Sequence, residues 1–489
     1  MPDITRRRFV RLAGGSAFVP STGGLSGLFS ACDSGVGPAG STQFDRNRLR
    51  LAPEASPQGL ILRATAGTAD VGGGIDAPVL MLNGSFPGPL LRVRRGDEFS
   101  VTLKNEIGEP LILHWHGLAP PEAMDGHPRF AVAPGGTYQY QFTVEARAGT
   151  YWYHPHTHMR TAEQTYRGLA GLLIVGDAEE DALGLPSGNR EIPVILQDRR
   201  IDEAGAPIYA PFGPDFMAGH MGPEPFGNGV RRPFLEVDSA LYRLRILNGS
   251  NARVFRLGRS DGGPLILIGN DGGLLARPET LASLDMGPAE RADVLVDLSG
   301  SSVGDRVMIR SLPFAMPGGR RMMGGANRQG QALDLLELRV ARRVDESIRI
   351  PSRLSAPRGP EPADAVRERT FRFTSMMMHH SINGRSFQME RVDERVPFGE
   401  TEIWSFINDG GFPHAVHLHA TQFSVLSRTG GRGAVQVWEQ GLKDTVLLYP
   451  EETVRVAVRF TTQRGLFLLH CHLLEHEDMG MMLNVLVGA

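Results

Sequence analysis

One unit of sequence occurs three times along the chain, and this repetition limits the possible folds more than any other feature. A proline turn followed by alternating residues begins at Ala133 (APGGTYQYQFTV) and again at Tyr449 (YPEETVRVAVRF). GPAERADVLVDL, from Gly287, is a middle copy. Alternation with a period of two is typical of a β-strand with one buried face. Three copies of one β-rich unit predict three domains of the same kind.

A second element also recurs three times and places an asparagine before a predicted strand. The copies are LKNEIGEPLILHWHG, LRILNGSNARVFRLG and SFINDGGFPHAVHLH, which contain Asn105, Asn248 and Asn408. The first and third strands carry His-x-His, whereas the middle strand reads Val254-Phe255-Arg256. The middle domain is therefore predicted to lack the histidines of its two siblings.

Short strands with turn signals at this spacing predict an all-β chain of Greek-key β-sandwich domains. Sixty glycines and 34 prolines in 489 residues agree with a chain rich in turns. The predicted domains are 45–178, 190–341 and 367–489. The proline-rich segment SIRIPSRLSAPRGPEPADAVRER is a predicted linker between the second and third domains.

Ten of the 15 histidines fall into four clusters. Neighbouring side chains of a strand point to opposite faces, so each His-x-His pair puts two imidazoles on one face. Such a pair can bind one metal ion or two adjacent ions. Four clusters at matching places in two repeat copies indicate a metal site. They are His114 and His116; His154 and His156; His414, His417 and His419; and His470, His472 and His476.

The stretch GLFLLHCHLLEHEDMGMML, residues 465–483, adds a cysteine to the last cluster. On a strand, His470 and His472 share one face and Cys471 points to the other, so one strand would serve two sites. A structural zinc site usually needs more thiolates than this chain offers. One cysteine with two histidines and a distant methionine is the ligand set of blue copper. The eight remaining histidines could hold three further copper ions.

With these motifs the sequence resembles the multicopper oxidases, a family of laccases, ascorbate oxidase and bacterial copper-efflux oxidases. All four family motifs occur in order, and the resemblance runs through the whole mature chain. HWHGLAPPEAMDG, GLAGLLIV and HCHLLEHEDMGMM are most similar to the three-domain bacterial members. The resemblance implies three cupredoxin-like domains and four copper ions, one of type 1, one of type 2 and two of type 3.

The resemblance also assigns the copper ligands, and no ligand position is missing. Type 1 copper, in the third domain, would be held by His414, Cys471, His476 and Met481. The other ions would lie between the first and third domains, which explains why the middle domain can lack copper ligands. Type 2 ligands would be His114 and His417, and type 3 ligands His116, His154, His156, His419, His470 and His472.

Reduction of dioxygen to water consumes four protons, so carboxylates are expected close to the trinuclear cluster. Asp125 in EAMDG and Glu477 next to His476 resemble acidic residues of the family's proton path. We therefore predict a catalytic role for both, with a turn or surface acid as the alternative. His158 continues the HPHTH motif but is not expected to be a ligand, because the set is complete without it.

The N-terminal segment, residues 1–44, resembles a twin-arginine export signal followed by a linker. Arg6 and Arg7 precede Phe9 and an apolar stretch that is too weak for a spanning helix. FSAC at 29–32 resembles a lipoprotein cleavage site, so Cys32 is either a lipid anchor or is removed. We expect export by the twin-arginine machinery to the periplasm or another extracytoplasmic location, with a disordered basic tail as the alternative.

The predicted function is that of an exported, monomeric, laccase-like enzyme. It would couple one-electron oxidation of a phenolic or other organic donor, or of Cu(I), to four-electron reduction of O2 to water. A net charge of −3 gives no indication of nucleic acid binding. The alternatives are a main role as a cuprous oxidase and, from another class, a structural or copper-carrying periplasmic protein. A copper nitrite reductase is a further alternative, but those enzymes have two-domain repeats with far fewer cluster histidines than this chain.

The electron donor depends on what covers the predicted type 1 site. Bacterial cuprous oxidases carry a long Met- and His-rich insert there, and the matching stretch TSMMMHHSINGRSFQM is short. We expect this short cover to leave the edge of His476 open to organic donors. Thioethers and a carboxylate could still hold a cuprous ion, although for either methionine cluster alone loop or core filling is favoured over copper binding. The residues concerned are Met316, Met322, Met323, Met376, Met377, Met378 and Asp409.

Overall fold

In the computed structural model, the described residues are 45–488 except for 318–327, 346–348 and 377–378. The predicted export signal and Cys32 lie outside them, as do Met322, Met323, Met377 and Met378. The described chain is mostly β-strand, with a few short helices, and its strands form six sheets. No helix of this part of the chain is long and apolar enough to cross a membrane. The prediction of an all-β fold is confirmed.

The first sandwich pairs the sheet β4-β3-β6-β8 with the sheet β2-β5-β10-β9-β7. Its apolar positions alternate as the sequence predicts; on β6, for example, Phe99, Val101 and Leu103 are buried. The elements are β1 (Asn47–Arg48), β2 (Glu54–Ala55), β3 (Gln58–Asp70), β4 (Asp76–Leu82), β5 (Leu90–Arg94), β6 (Glu98–Glu106), β7 (Leu113–His116), 3-10 turns Glu122–Met124 and Pro128–Phe130, β8 (Thr137–Thr143), β9 (Gly149–Pro155), α1 (Thr161–Arg167) and β10 (Gly171–Gly176).

The middle sandwich has sheets of six and seven strands, and β1 adds to the edge of the first of these beside β14. Its elements are α2 (Ala178–Asp181), a 3-10 turn Gly188–Arg190, β11 (Glu191–Arg199), α3 (Asp215–Ala218), β12 (Glu224–Gly227), β13 (Val230–Arg231), β14 (Pro233–Asp238), β15 (Leu241–Asn248), β16 (Phe255–Arg259), β17 (Leu265–Asn270), β18 (Gly273–Leu281), β19 (Ser283–Met286), β20 (Arg291–Asp297), β21 (Arg306–Ser311) and β22 (Leu333–Arg342).

The last sandwich follows the predicted proline-rich linker, in which the described residues 343–345 and 349–361 form no strand. Its sheets are β24-β23-β26-β30-β28 and β25-β32-β31-β27-β29. The elements are a 3-10 turn Pro362–Asp364, β23 (Ala365–Met376), β24 (His379–Ile382), β25 (Glu394–Val396), β26 (Thr401–Asn408), β27 (His414–Leu418), β28 (Phe423–Thr429), a 3-10 turn Val437–Glu439, β29 (Thr445–Leu448), β30 (Thr453–Arg459), β31 (Gly465–Cys471), α4 (Leu474–Asp478) and β32 (Met482–Val487).

The three sandwiches share one connectivity, which is the structural basis of the sequence repeat. The first long strand of each pairs antiparallel with the next strand and parallel with a later one: β3 with β4 and β6, β11 with β12 and β15, β23 with β24 and β26. In the opposing sheets, β5, β14 and β25 pair in parallel with β10, β22 and β32. The repeated proline-turn unit supplies β8, β20 and β30.

The repeated asparagines join the two repeated elements of each sandwich. Each side-chain amide donates to the carbonyl directly before the proline-turn unit, on Val132, Met286 and Leu448 respectively. Each also donates to a second carbonyl four or five residues further along the chain. Each Oδ1 accepts a backbone N–H two residues on, a turn that asparagine forms readily. This explains why an asparagine recurs there.

Candidate metal centre

Four strands bring eight of the clustered histidines together between the first and last sandwiches. β7 pairs with β9 so that His114 lies opposite His154, and β27 pairs with β31 so that His417 lies opposite His470. The two sandwiches use equivalent strands for this purpose. All eight side chains are buried: His114, His116, His154, His156, His417, His419, His470 and His472.

Cys471 lies on the opposite face of β31 from His470. There it meets His414 and His476, the two clustered histidines that are not among the eight. Its Sγ is 3.3 Å from Nδ1 of His414 and 3.7 Å from Nδ1 of His476. The two Nδ1 atoms are 3.3 Å apart. His414 comes from β27 and His476 from α4, and all three side chains are buried. One cysteine and two imidazoles therefore converge on one point.

The loop after Cys471 is closed by backbone hydrogen bonds. The N–H of Cys471 donates to the carbonyl of Met481 at 3.1 Å, and the N–H of Met481 donates to the carbonyl of His476 at 2.9 Å. Met481 is fully buried and packs in the same apolar cluster as Cys471. The sequence therefore places its predicted thioether ligand in the same core as the thiol.

Burial controls the protonation of this centre. It raises the pKa of the Cys471 thiol to about 12 and lowers the pKa of His414 to about 3. The imidazole is therefore neutral at physiological pH, whereas the thiol keeps its proton unless a cation replaces it. A soft cation bound between these groups would satisfy the thiolate and both imidazole lone pairs.

The eight-histidine cluster presents nitrogen lone pairs to one another. His114, His154 and His417 each donate Nδ1–H to a backbone carbonyl, at 2.6 to 2.8 Å. A neutral imidazole that donates through Nδ1 has its lone pair on Nε2. Yet these Nε2 atoms face another histidine Nε2: His114 faces His417 at 3.3 Å and His154 faces His472 at 3.4 Å.

His470 makes two similar contacts, with Nε2 of His419 at 3.1 Å and Nε2 of His156 at 3.4 Å. In the His114–His417 and His154–His472 contacts, burial lowers the pKa of all four imidazoles, that of His154 to about 4. Protonation therefore does not relieve the repulsion in these two contacts at neutral pH. Metal cations between the facing lone pairs would relieve it. The residues present therefore fit bound metal ions.

The two predicted catalytic carboxylates touch this cluster. Oδ2 of Asp125 accepts from Nδ1 of His419 at 2.7 Å, and burial raises the pKa of this carboxyl well above its ordinary value. Oε2 of Glu477 lies 3.1 Å from Nδ1 of His470. Burial alone would raise the pKa of Glu477, but His470 and His156 outweigh it and lower the pKa to about 2. One acid can therefore hold a proton, whereas the other stays ionised.

Sequence reasoning missed Asp444, a buried carboxylate at the same cluster. Its Oδ1 lies 3.1 Å from Nε2 of His116, and its backbone carbonyl accepts from His417. Arg291 of the middle sandwich donates to the same carboxylate, so this domain supports the cluster without contributing histidines. With Nε2 of His116 engaged, its Nδ1 has no partner among the described residues. The signal available in the sequence was an aspartate, in LKDTV, directly before the residues that form β29.

The other sequence expectations have mixed outcomes. His158 is exposed and lies outside both centres, as predicted. The expectation of an open edge on His476 is wrong: its side chain is fully buried, and its Nε2 donates to the carbonyl of Met217 at 3.0 Å. Asp409, which was expected to help hold a cuprous ion, forms an ion pair with Arg372, so its carboxylate already has a cationic partner.

The fold and the site define a class of copper-binding oxidoreductases built from cupredoxin-like sandwiches. The multicopper oxidase family models match residues 63–180 and 357–489. A laccase of Bacillus stratosphericus is 30% identical over 463 residues, with 82% of this chain and 89% of the relative covered. The cell division protein FtsP of Dickeya dadantii is 33% identical over 426 residues, covering 84% and 86%.

A solved structure agrees with these relatives. The McoA multicopper oxidase from Aquifex aeolicus superimposes with a TM-score of 0.83 at 34% identity, covering 91% of this chain and all of the other. The chain belongs to the multicopper oxidase family. It is therefore an oxidoreductase that uses dioxygen as electron acceptor, and the family implies copper.

Proposed function

We propose that this enzyme is an exported laccase-like oxidase with four copper ions. One ion would be bound by His414, Cys471, His476 and Met481, and the other three by the eight-histidine cluster. The observation that carries this proposal is the position of Cys471 between His470 and His472, because one strand then joins both centres covalently.

Bound copper would accept single electrons at the cysteine centre and reduce dioxygen to water at the histidine cluster. The chain's own residues have supporting roles. Main-chain and side-chain bonds link Cys471 to both neighbouring histidines, and Nδ1 of His470 lies 3.1 Å from the carbonyl of Cys471. Electrons therefore have a short covalent path. Asp125, with its raised pKa, would hold a proton beside His419, and the ionised Glu477 would orient His470.

A phenolic or dye-like donor would dock on the outer surface of α3, which covers the edge of His476. The imidazole donates to the carbonyl of Met217. An electron from a donor docked on α3 could therefore reach His476 through this hydrogen bond, and the donor would not have to touch the ring. Phe212, just before this helix, is 58% exposed and offers an aromatic surface for such a donor.

Cuprous oxidation is a second candidate, and one observation favours it. Met376 and His379 lie directly opposite each other at the end of the β23–β24 ladder, and both are exposed. A thioether and an imidazole on one hairpin form a soft pair of ligands for Cu(I). The adjacent pair of this ladder contains His380, which contacts His476. Neighbouring residues of a strand point to opposite faces, so Met376 and His379 lie one ladder position from His380 and on the other face of the hairpin.

Donor preference can be measured directly. We expect the copper-loaded enzyme to oxidise bulky phenols without added copper, with slower but measurable Cu(I) oxidation. The double variant Met376→Leu, His379→Leu should lower the Cu(I) rate about tenfold and leave phenol oxidation within about twofold, since only the soft ligands are lost. His158→Ala, at another exposed histidine, is the control. Phenol oxidation that requires excess copper, together with loss of Cu(I) turnover in the double variant, would favour the cuprous role instead.

A structural or copper-carrying role would not need redox-competent centres. The completeness of both donor sets in this chain supports an enzyme. Oxygen uptake by the copper-loaded protein in the presence of a phenol tests this choice. A protein that binds copper but consumes no oxygen with either donor class would support the structural or copper-carrying alternative.

Export is proposed from the sequence alone, because residues 1–44 lie outside the described part. We expect replacement of Arg6 and Arg7 by lysine to keep the protein in the cytoplasm, since the twin-arginine receptor reads the pair. Cell fractionation with immunoblotting measures the result. Lys104→Arg, a basic exchange in the folded part, is the control. Undiminished extracytoplasmic protein in the double-lysine variant would refute the signal.

A further inference from the structure

We propose that His380 is a positioning residue for His476, and that the flat face of its ring sets the reduction potential of the copper bound by Cys471. This inference rests on the proposed function, because it takes His476 as a ligand of that copper. His380 is not part of the copper ligand set, and the sequence gives it no role beyond its place in a histidine pair.

The two rings are stacked. Their centroids are 4.2 Å apart and their planes differ by 24°. Both side chains are fully buried. The ring of His414 also lies close to His476, but it is tilted: the centroids are 5.2 Å apart and the planes differ by 58°. Among the described aromatic side chains that contact His476, His380 alone covers the face of its ring.

Hydrogen bonds fix the ring of His380 at both nitrogens. Nε2 is 2.7 Å from the carbonyl of Phe216, which can only accept, so Nε2 carries the proton. Nδ1 therefore accepts from the hydroxyl of Ser375, at 2.7 Å. Ser375 lies directly opposite His380 in the β23–β24 ladder. Burial lowers the pKa of His380 further, so that the ring is neutral. It is held as a rigid, uncharged plate.

The stacked rings are anchored to the same short helix. His380 donates to the carbonyl of Phe216 and His476 to the carbonyl of Met217, which are consecutive residues of α3. An ion pair between Asp215 and Arg200 holds the start of this helix. Two parallel imidazoles bound to consecutive carbonyls restrict each other's rotation. The direction of the His476 Nδ1 lone pair is thereby fixed.

This arrangement also keeps water from one face of His476. Solvent access to a metal site changes its reduction potential, because water stabilises the more highly charged state. Oxidised copper carries one more positive charge than reduced copper. Loss of the His380 ring would admit water and free His476 to tilt. Water favours the oxidised state, and a ligand that can move also favours it, because oxidised copper prefers a tetragonal arrangement of ligands. A lower reduction potential follows.

Redox titration of the copper-loaded full chain, followed through the thiolate absorption band, tests the inference. We expect His380→Ala to shift the electron-transfer equilibrium with a reference couple at least tenfold toward oxidised copper, which is about 59 mV for one electron. His380→Leu fills the space without a flat ring and should shift it at least about threefold. His380→Phe keeps the ring and should stay within about twofold.

The outcomes separate the inference from the proposed function. Wild-type protein that shows no thiolate band after copper loading would refute the proposed function, and the inference with it. Blue wild-type protein with His380→Leu within twofold of it, or with His380→Phe shifted as far as His380→Leu, would refute the inference alone. If His380→Ala does not fold, the Leu and Phe pair still decides. A potential that phenylalanine preserves but leucine shifts is the result that a merely space-filling histidine would not give.

Discussion

Replacing Cys471 by serine is expected to abolish the blue colour and the oxidase turnover while leaving the chain folded. The absorption band at about 600 nm arises from the thiolate–copper bond, which an alkoxide does not reproduce. The strand that carries Cys471 keeps its hydrogen bonds to β27 and β32, and serine is nearly the same size. Wild-type protein should bind about four copper ions and the variant about three.

Visible spectra, metal analysis and steady-state oxygen uptake measure this result. Met481→Leu is the matched control, since the axial thioether is only a weak ligand of such sites. That variant should stay blue and active. A Cys471→Ser protein that remains blue would show that the thiolate site is elsewhere, although Cys471 is the only cysteine of the described residues.

The general architecture could be predicted because its signals are local and repeated. Alternating residues in the proline-turn units became β8, β20 and β30, and the recurring asparagines occupy equivalent turns. The His-x-His spacing likewise determines which imidazoles share a strand face. These features depend on the backbone of one segment, and a single sequence shows them.

The support of the site could not be predicted, because it comes from distant segments. Arg291, 153 residues before Asp444 in sequence, holds the carboxylate that faces His116. The edge of His476 is covered by α3 of the middle sandwich, whereas His380 of the methionine-rich stretch covers the face of its ring. The sequence indicated that this domain lacks copper ligands. It gave no sign that the domain's backbone and charges shape both centres.

Asp125 allows a sharper test of proton delivery. We expect Asp125→Asn to slow reoxidation of the reduced enzyme by dioxygen about a hundredfold, which is the lower range for loss of a general acid. The amide can still accept a hydrogen bond from His419, so the position of that imidazole is preserved, whereas a proton can no longer be held there. Reduction of the cysteine centre by a phenol should be unchanged.

Stopped-flow measurement of the two half-reactions separates these effects. Asp478→Asn is the matched control: the pKa of this half-buried carboxyl is also raised, but it accepts from the backbone N–H groups of Thr161 and Ala162 instead of a cluster histidine. It should leave reoxidation within about threefold of wild type. If Asp125→Asn slowed both half-reactions equally, the carboxyl would be a structural support of the cluster. Selective slowing of reoxidation in Asp125→Asn alone would identify the proton held beside His419 as the one that dioxygen reduction consumes.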